Sequence, residues 1–334
     1  MRMKSQFLAG LVLLGSLHLA TADEAKSFLG RWALAIPGGG AGWLGVTENA
    51  GALQSEILWG GGSVVPVTST KVAGDELILT RAQTGERTDA AGKTNKVDLT
   101  QTITAKVEDA AMKLVWSQPT LEGKTNSASF TGTRIPVLPP APDLSKVKFG
   151  EPITLFNGRD LTGWKLTNPG AVNGWSVVDG ALINRPTQDE GQPHKSYGNL
   201  RTEAEFTDFK LTAETRLSKD SNSGIYLRGI YEVQVYDSYG KPLDSHNMGA
   251  IYSRITPTVA AEKPAGDWQT LEITLVERHA TVVLNGTTII DNQPLLGCTG
   301  GALWSDEFRP GPIYLQGDHS LIDYRNLVIR PVVK

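Results

Sequence analysis

The stretch Ser221-Asn-Ser-Gly-Ile-Tyr-Leu-Arg-Gly-Ile-Tyr-Glu-Val-Gln-Val-Tyr-Asp-Ser238 decides the fold. Apolar Ile225, Leu227, Val233 and Val235 alternate with Tyr226, Arg228, Glu232 and Gln234, which is the period of a half-buried β-strand. If an odd loop, Gly229-Ile230-Tyr231, joins two strands, both apolar sets share one face, Arg228 stands opposite Glu232 and Tyr226 opposite Gln234. The other face then carries a Tyr, an Arg, a Glu and a Gln. Such a face is either solvated, with one cross-strand ion pair, or the floor of a binding site.

Working outward, residues 151–334 repeat the strand pattern without helices. Trp175–Ile183 turns at Asp179-Gly180, and Phe209–Leu217 alternates. Leu271–Val276, Thr281–Leu284 and Thr287–Ile290 follow, the last two joined at Asn285-Gly286. Ile313–Gln316 and Ile322–Ile329 close the series. A dozen or so strands imply an all-β two-sheet sandwich.

Residues 23–134 predict a smaller antiparallel domain. Arg31–Ile36, Gly42–Thr47, Leu53–Trp59, Val64–Val67, Glu76–Arg81, Lys96–Ala105, Met112–Ser117 and Ser127–Thr133 read as short strands punctuated by Gly, Asn, Asp and Lys. Its ends, Gly30-Arg31-Trp32 and Phe130-Thr-Gly-Thr-Arg134, resemble the first and last strands of a lipocalin-like barrel. Residues 28–134 contain no histidine, so an accessory or docking module, or a ligand-holding barrel, is expected rather than a catalytic domain. Ile135–Asp143 carries four prolines and reads as a stiff linker within residues 135–150.

The 334 residues carry a net charge of −3 with acids and bases interspersed, which argues against nucleic acid and anionic lipid as partners. Arg2 and Lys4, the apolar run Phe7–Leu19 and the small residues Ala20-Thr-Ala22 read as a signal peptide over residues 1–22. A periplasmic or secreted protein with no membrane insertion after cleavage is expected, an uncleaved anchor being the alternative. Cys298 is the only cysteine, has no base beside it, and is expected to be a small buried residue.

Six blocks in the second half carry a resemblance: Phe156-Asn-Gly-Arg-Asp-Leu-Thr-Gly-Trp164, Asn222–Arg228, Tyr231–Val235 with Asp237-Ser238, Gly266-Asp-Trp268, Asn285-Gly286, and Gly311-Pro-Ile313 through Arg325-Asn326. In their order they resemble the 3-keto-disaccharide hydrolase domain family over residues 151–332. The resemblance implies a concanavalin A-like jelly roll whose concave face holds carbohydrate. It also implies action on 3-keto-glycosides. A ketone at carbon 3 acidifies the carbon 2 hydrogen, so a base can remove it, the enolate can expel the carbon 1 substituent, and water can add. Such a site needs a base, an acid for the leaving oxygen and a stabiliser for the enolate oxygen.

Glu232 is the candidate base, with Arg228 as enolate or hydroxyl clamp, although an adjacent Arg228 would depress the Glu232 pKa and favour a structural pair. His319, beside Asp318, is a candidate proton carrier because imidazole titrates near neutrality. Asp237 is a candidate acid, base or metal ligand. Tyr226, Gln234, Gln316 and His246 are candidate readers of sugar hydroxyls, and Tyr252 and Trp268, with Trp304 and Tyr236, are candidates to stack on a sugar ring. His194 could cover the concave face from another rim, and His279 reads as structural. No cofactor is called for; a divalent metal among these His and acids stays open, since no close ligand spacing demands one. A carbohydrate-binding module without chemistry, or a surface scaffold, would use the same face.

Overall fold

Alternation and type I′ turns build the second domain as the sequence predicts, and packing against the first domain decides which polar face loses its water. The structure is a computed structural model describing residues 25–88 and 92–333, so the leader expected at residues 1–22 lies outside the described residues. Among these, no helix is long and apolar enough to cross a membrane.

The first domain comprises β1 (Gly30–Ala35), β2 (Ala41–Asn49), β3 (Ala52–Trp59), β4 (Val65–Pro66), β5 (Ser69–Ala73), β6 (Glu76–Arg81), β7 (Thr84–Thr88), β8 (Thr94–Asp98), β9 (Gln101–Glu108), β10 (Ala111–Pro119) and β11 (Thr125–Ile135). Nine of these form one antiparallel sheet in the order β4-β3-β2-β1-β11-β10-β9-β6-β5, with β7 and β8 as a separate hairpin. The first and last strands pair, but β4 and β5 stand at the two edges of the sheet and do not pair with each other, so it is a curled, open sheet rather than the closed barrel expected. The expected single strand Lys96–Ala105 is two, because the Asp98 carboxylate accepts the Thr100 N–H at 2.8 Å and turns the chain. The curled sheet closes on Trp32, Leu34, Leu44, Ile57, Leu79 and Met112, all buried, so its concave side is packed core rather than a ligand lumen.

The other face of the same strands belongs to the second domain. Trp43, Leu58 and Ala41 join the core of the jelly roll, and the Arg254 guanidinium lies 4.4 Å over the Trp43 ring. The linker is tied at both ends. The Pro136 carbonyl accepts from Arg31 and the Pro142 carbonyl from Asn292.

The second domain begins with β12 (Lys148–Phe149), β13 (Ile153–Thr154), β14 (Trp164–Leu166), β15 (Trp175–Val178), β16 (Ala181–Asn184), β17 (Leu200–Thr202) and β18 (Phe209–Leu217). It continues with β19 (Asn222–Leu227), β20 (Tyr231–Tyr236), β21 (Trp268–Val276), β22 (His279–Leu284), β23 (Thr287–Pro294), β24 (Tyr314–Leu315) and β25 (Ile322–Val333). One sheet runs β15-β16-β25-β18-β21-β22-β23, with β12 and β13 added against β25; the other runs β14-β17-β24-β19-β20. Between them lies a core that includes Ile225, Leu227, Val233 and Val235, the four apolar positions of the opening stretch. Asp179-Gly180 and Asn285-Gly286 both take positive φ, as type I′ hairpin turns require.

Candidate functional site

The hairpin β19–β20 has the expected parity and a different register. Leu227 pairs with Tyr231 and Tyr226 with Glu232, so the loop is Arg228-Gly229-Ile230. Arg228 and Gly229 take positive φ and the Ile230 N–H returns to the Leu227 carbonyl, which starts the turn one residue earlier than expected. A shift of two leaves every side chain on its predicted face. It also removes the predicted Arg228–Glu232 pair. The Arg228 guanidinium is buried and donates to the Glu307 carbonyl at 2.5 Å and the Arg309 carbonyl at 2.6 Å, outside the cleft.

Glu232 therefore stands on the concave face with no cation beside it. Its side of the sheet is not solvated, because the edge strand β20 is covered. The Glu232 N–H donates to Thr299 Oγ1, its carbonyl accepts from the Tyr252 N–H, and Gly249–Ile251 pairs along Val233 and Gln234. Only 3% of Glu232 is exposed. Burial pushes its carboxyl from the usual 4.5 up to about 8; the adjacent Tyr226 hydroxyl opposes this and the Asp318 charge adds to it. The expectation that Arg228 would lower this pKa is overturned.

Tyr226 sits between Glu232 on β20 and Tyr314 on β24. Its ring stacks on Tyr314 with centroids 3.9 Å apart, and the two hydroxyls donate to the Gly300 and Gly301 carbonyls at 2.7 and 3.0 Å. These groups line a cleft of about 310 Å³, together with Asn199, Asn222, Tyr252, Gln316, Asp318 and His319. Asn222 Oδ1 and Gln316 Oε1 are buried there without a hydrogen-bond partner, the state of acceptors that await donor hydroxyls. At the rim His319 and Asp318 are 47% and 44% exposed, with Nδ1 and Oδ1 3.6 Å apart. A larger groove of about 970 Å³ lies over β2 and β3, but its lining brings no histidine or second carboxylate to Glu56.

Other sequence candidates fall outside the cleft. Gln234 is buried under Gly249–Ile251, its side-chain oxygen accepting the Val235 N–H. Asp237 accepts the Asp220 N–H at 2.9 Å and fixes a turn. Trp268 lies on the other sheet, with the guanidinium groups of Arg216 and Arg325 over its ring. His246 stands behind Tyr252, edge-on at 4.9 Å, rather than on the cleft wall. Trp304 carries Arg309 over its ring, Tyr236 accepts from Lys241, His194 is exposed, and His279 is a buried strand residue. Cys298 is buried and its thiol is pushed up to about 12 by that burial. Among the described residues, no three His, Cys, Asp or Glu side chains converge as a metal-binding group.

Sequence reasoning missed Tyr314, Asn222 and Asn199. Tyr314 alternates with Gln316 in Pro-Ile-Tyr-Leu-Gln, so its place on the face was readable. The role of Gly224 was not, because it depends on the diagonal neighbour. A β-carbon on Gly224 would overlap the Glu232 carboxylate, which lies across that backbone. Gly224→Ala is expected to displace the Glu232 side chain with a modest fall in melting temperature, since the added methyl meets its buried Cγ as well as its carboxylate. It should cost ~100-fold in turnover through that displacement. Kinetics beside a thermal melt check this, and wild-type turnover would show that the carboxylate position is immaterial.

Residues 151–330 match the family described as the 3-keto-alpha-glucoside-1,2-lyase-like domain. The chain is 28% identical over 149 residues to 3-keto-disaccharide hydrolase of Bacteroides thetaiotaomicron, covering 36% of this chain and 51% of that protein. It thus spans about half the length of the curated relative. A crystal structure from Parabacteroides distasonis, ascribed to the glycosyl hydrolases, is 29% identical with a TM-score of 0.44 and covers 59% of this chain and 93% of that one. A second from the same organism is 21% identical with a TM-score of 0.43, covering 55% and 94%. The first domain lies outside the family match, and through its second domain the chain belongs to the 3-keto-alpha-glucoside-1,2-lyase-like family.

Proposed function

We propose that the protein is an exported carbohydrate-active enzyme that cleaves 3-keto-glycosides by elimination and hydration, with Glu232 as the base. The observation that carries this reading is a carboxyl raised to about 8 by burial, in a small cleft with two unpartnered amide oxygens. A base for a carbon acid gains from a high pKa, and one near the working pH keeps a useful ionised fraction.

Glu232 takes the proton from carbon 2, and the electron pair left behind forms the enolate with its charge on the carbon 3 oxygen. The Tyr226 hydroxyl, next to the carboxylate, turns from the Gly300 carbonyl to donate to that oxygen. The enolate re-forms the ketone and expels the carbon 1 oxygen, which takes a proton from His319 at the open rim. Water then adds hydroxyl to carbon 1 and a proton to carbon 2. Asn222 and Gln316 accept from the sugar hydroxyls, and Tyr252 packs against the ring.

The test is incubation of the full-length protein with a chromogenic 3-keto-glucoside and with the unoxidised glucoside, with and without added divalent metal. Release from the keto sugar alone is expected. Binding without release under either condition would leave a carbohydrate-binding face and remove the chemistry.

A further inference from the structure

The first domain has no part in the family match, yet it reaches the cleft. Its β3–β4 loop, which includes Gly60-Gly61-Gly62-Ser63, places Gly61 and Gly62 in the lining of the cleft that Glu232 also lines. The loop is held there at three points. The Gly301 N–H donates to the Gly60 carbonyl at 3.2 Å, Ser63 Oγ lies 2.9 Å from His246 Nε2, and the Val64 N–H donates to Ser253 Oγ at 2.8 Å. His246 is fixed in turn, its Nδ1 2.5 Å from Asp244 Oδ1. Any side chain on Gly300 would run into the Gly62 backbone, so loop and cleft floor meet with no room between them.

We propose that this loop of the first domain is a structural part of the sugar site. Held against Gly300 and Gly301, whose carbonyls take the Tyr226 and Tyr314 hydroxyls, it narrows the cleft beside those tyrosines while Asp318 and His319 stay half-exposed, so the site takes the keto-sugar ring of a short glycoside and not an internal unit of a long chain. The inference rests on the sugar-cleft reading above. Lined by Gly61, Gly62 and Tyr226 among others, the cleft of about 310 Å³ has the volume of a small-ligand site. The cleft is open at the half-exposed pair Asp318–His319. A ring therefore sits against Glu232 with its carbon 1 substituent directed out past His319. The glycines are what keep the wall thin. Gly60 and Gly62 take φ of +79° and +78°, whereas Gly61 lies outside the left-handed region and a β-carbon there meets nothing within 4 Å. A side chain at Gly61 is therefore tolerated by the fold, and because Gly61 lines the cleft a large one can reach into it.

Gly61→Trp in the full-length protein tests this, with Gly61→Ala beside it and calorimetric binding measured in a Glu232→Gln background. The probes are a 3-keto-glucoside with a small aglycone and a trisaccharide and a tetrasaccharide each oxidised at an internal unit. Gly61→Trp is expected to melt with the wild type, to lose at least tenfold in affinity and in kcat/KM for the small glycoside, and to leave Gly61→Ala in between. The wild type is expected to reject the internally oxidised chains. Turnover by the wild type with unchanged kinetics and affinity in Gly61→Trp overturns the proposal and leaves the chemistry intact. Binding that is lost in Gly61→Trp without turnover by the wild type upholds the wall and overturns the chemistry. Absence of sugar binding to the wild type overturns both.

Discussion

Glu232→Gln is expected to lower kcat/KM for a 3-keto-glucoside by ~10²–10⁴-fold, the range a positioned acid–base group contributes. The sign of the pH dependence follows from the raised pKa. The base must be ionised, and burial holds its pKa at about 8, so wild-type kcat/KM rises about tenfold per pH unit below 8 and levels above it. Were Glu232 the acid, the profile would fall through the same pH. Stability moves the opposite way. A carboxyl raised from 4.5 to about 8 by folding contributes stability that is fully present below 4.5 and is lost as pH rises to 8, on the order of 1.4 kcal/mol per unit. Glutamine does not ionise. Glu232→Gln should therefore melt above the wild type at pH 9 and with it at pH 4, the gap opening between. A flat rate profile from pH 6 to 9, or full turnover by the Gln variant, would move the base to another residue.

The opposed effects have one cause, and it explains what the sequence could convey about this site. Parity along Ser221–Ser238 fixed which residues share a face, because a strand's side-chain period is two whatever the turn does. The register did not follow, since it depends on Arg228 adopting a positive φ that few non-glycine residues take. One step in the turn moved Arg228 from the predicted clamp on Glu232 to the carbonyls of Glu307 and Arg309, and so reversed the direction of the Glu232 pKa. The burial that raises it comes from segments far apart in the chain, Gly249–Tyr252, Thr299–Gly301 and Gly61–Gly62, none of which carries a readable motif. Trp268 and Gln234 illustrate the converse. Both are residue types that bind sugars, and both are occupied, one by two guanidinium groups and the other by a covering strand.

Arg228 leads to the second large effect, on stability. Glu307→Ala is expected to destabilise by about 3–5 kcal/mol, the cost of removing one member of a buried ion pair. Glu307 Oε2 accepts from Arg278 Nη1 at 3.1 Å and from the Tyr231 hydroxyl at 3.0 Å, with the two charged side chains 7% and 0% exposed. Burial raises the Glu307 carboxyl and Arg278 opposes it, so the pair stands or falls together. Alanine would leave the Arg278 charge and the Tyr231 hydroxyl without that partner at the tip of the hairpin that carries Glu232. It would also loosen the segment whose carbonyls hold Arg228 and whose Ser305 hydroxyl donates to Leu34 in the first domain. At about 2–4 °C per kcal/mol for a domain of this size, the melting temperature should fall by roughly 10 °C. Glu108→Ala supplies the contrast, because its pair with Lys113 is 52% and 65% exposed and such pairs contribute little. Replacing both partners, Arg278→Met with Glu307→Leu, should cost less than Glu307→Ala alone, since it buries no orphaned charge. If Glu307→Ala melts within a degree of the wild type, the Arg278–Glu307–Tyr231 cluster is not what anchors the hairpin, and the height of the Glu232 pKa must rest on its covering strands alone.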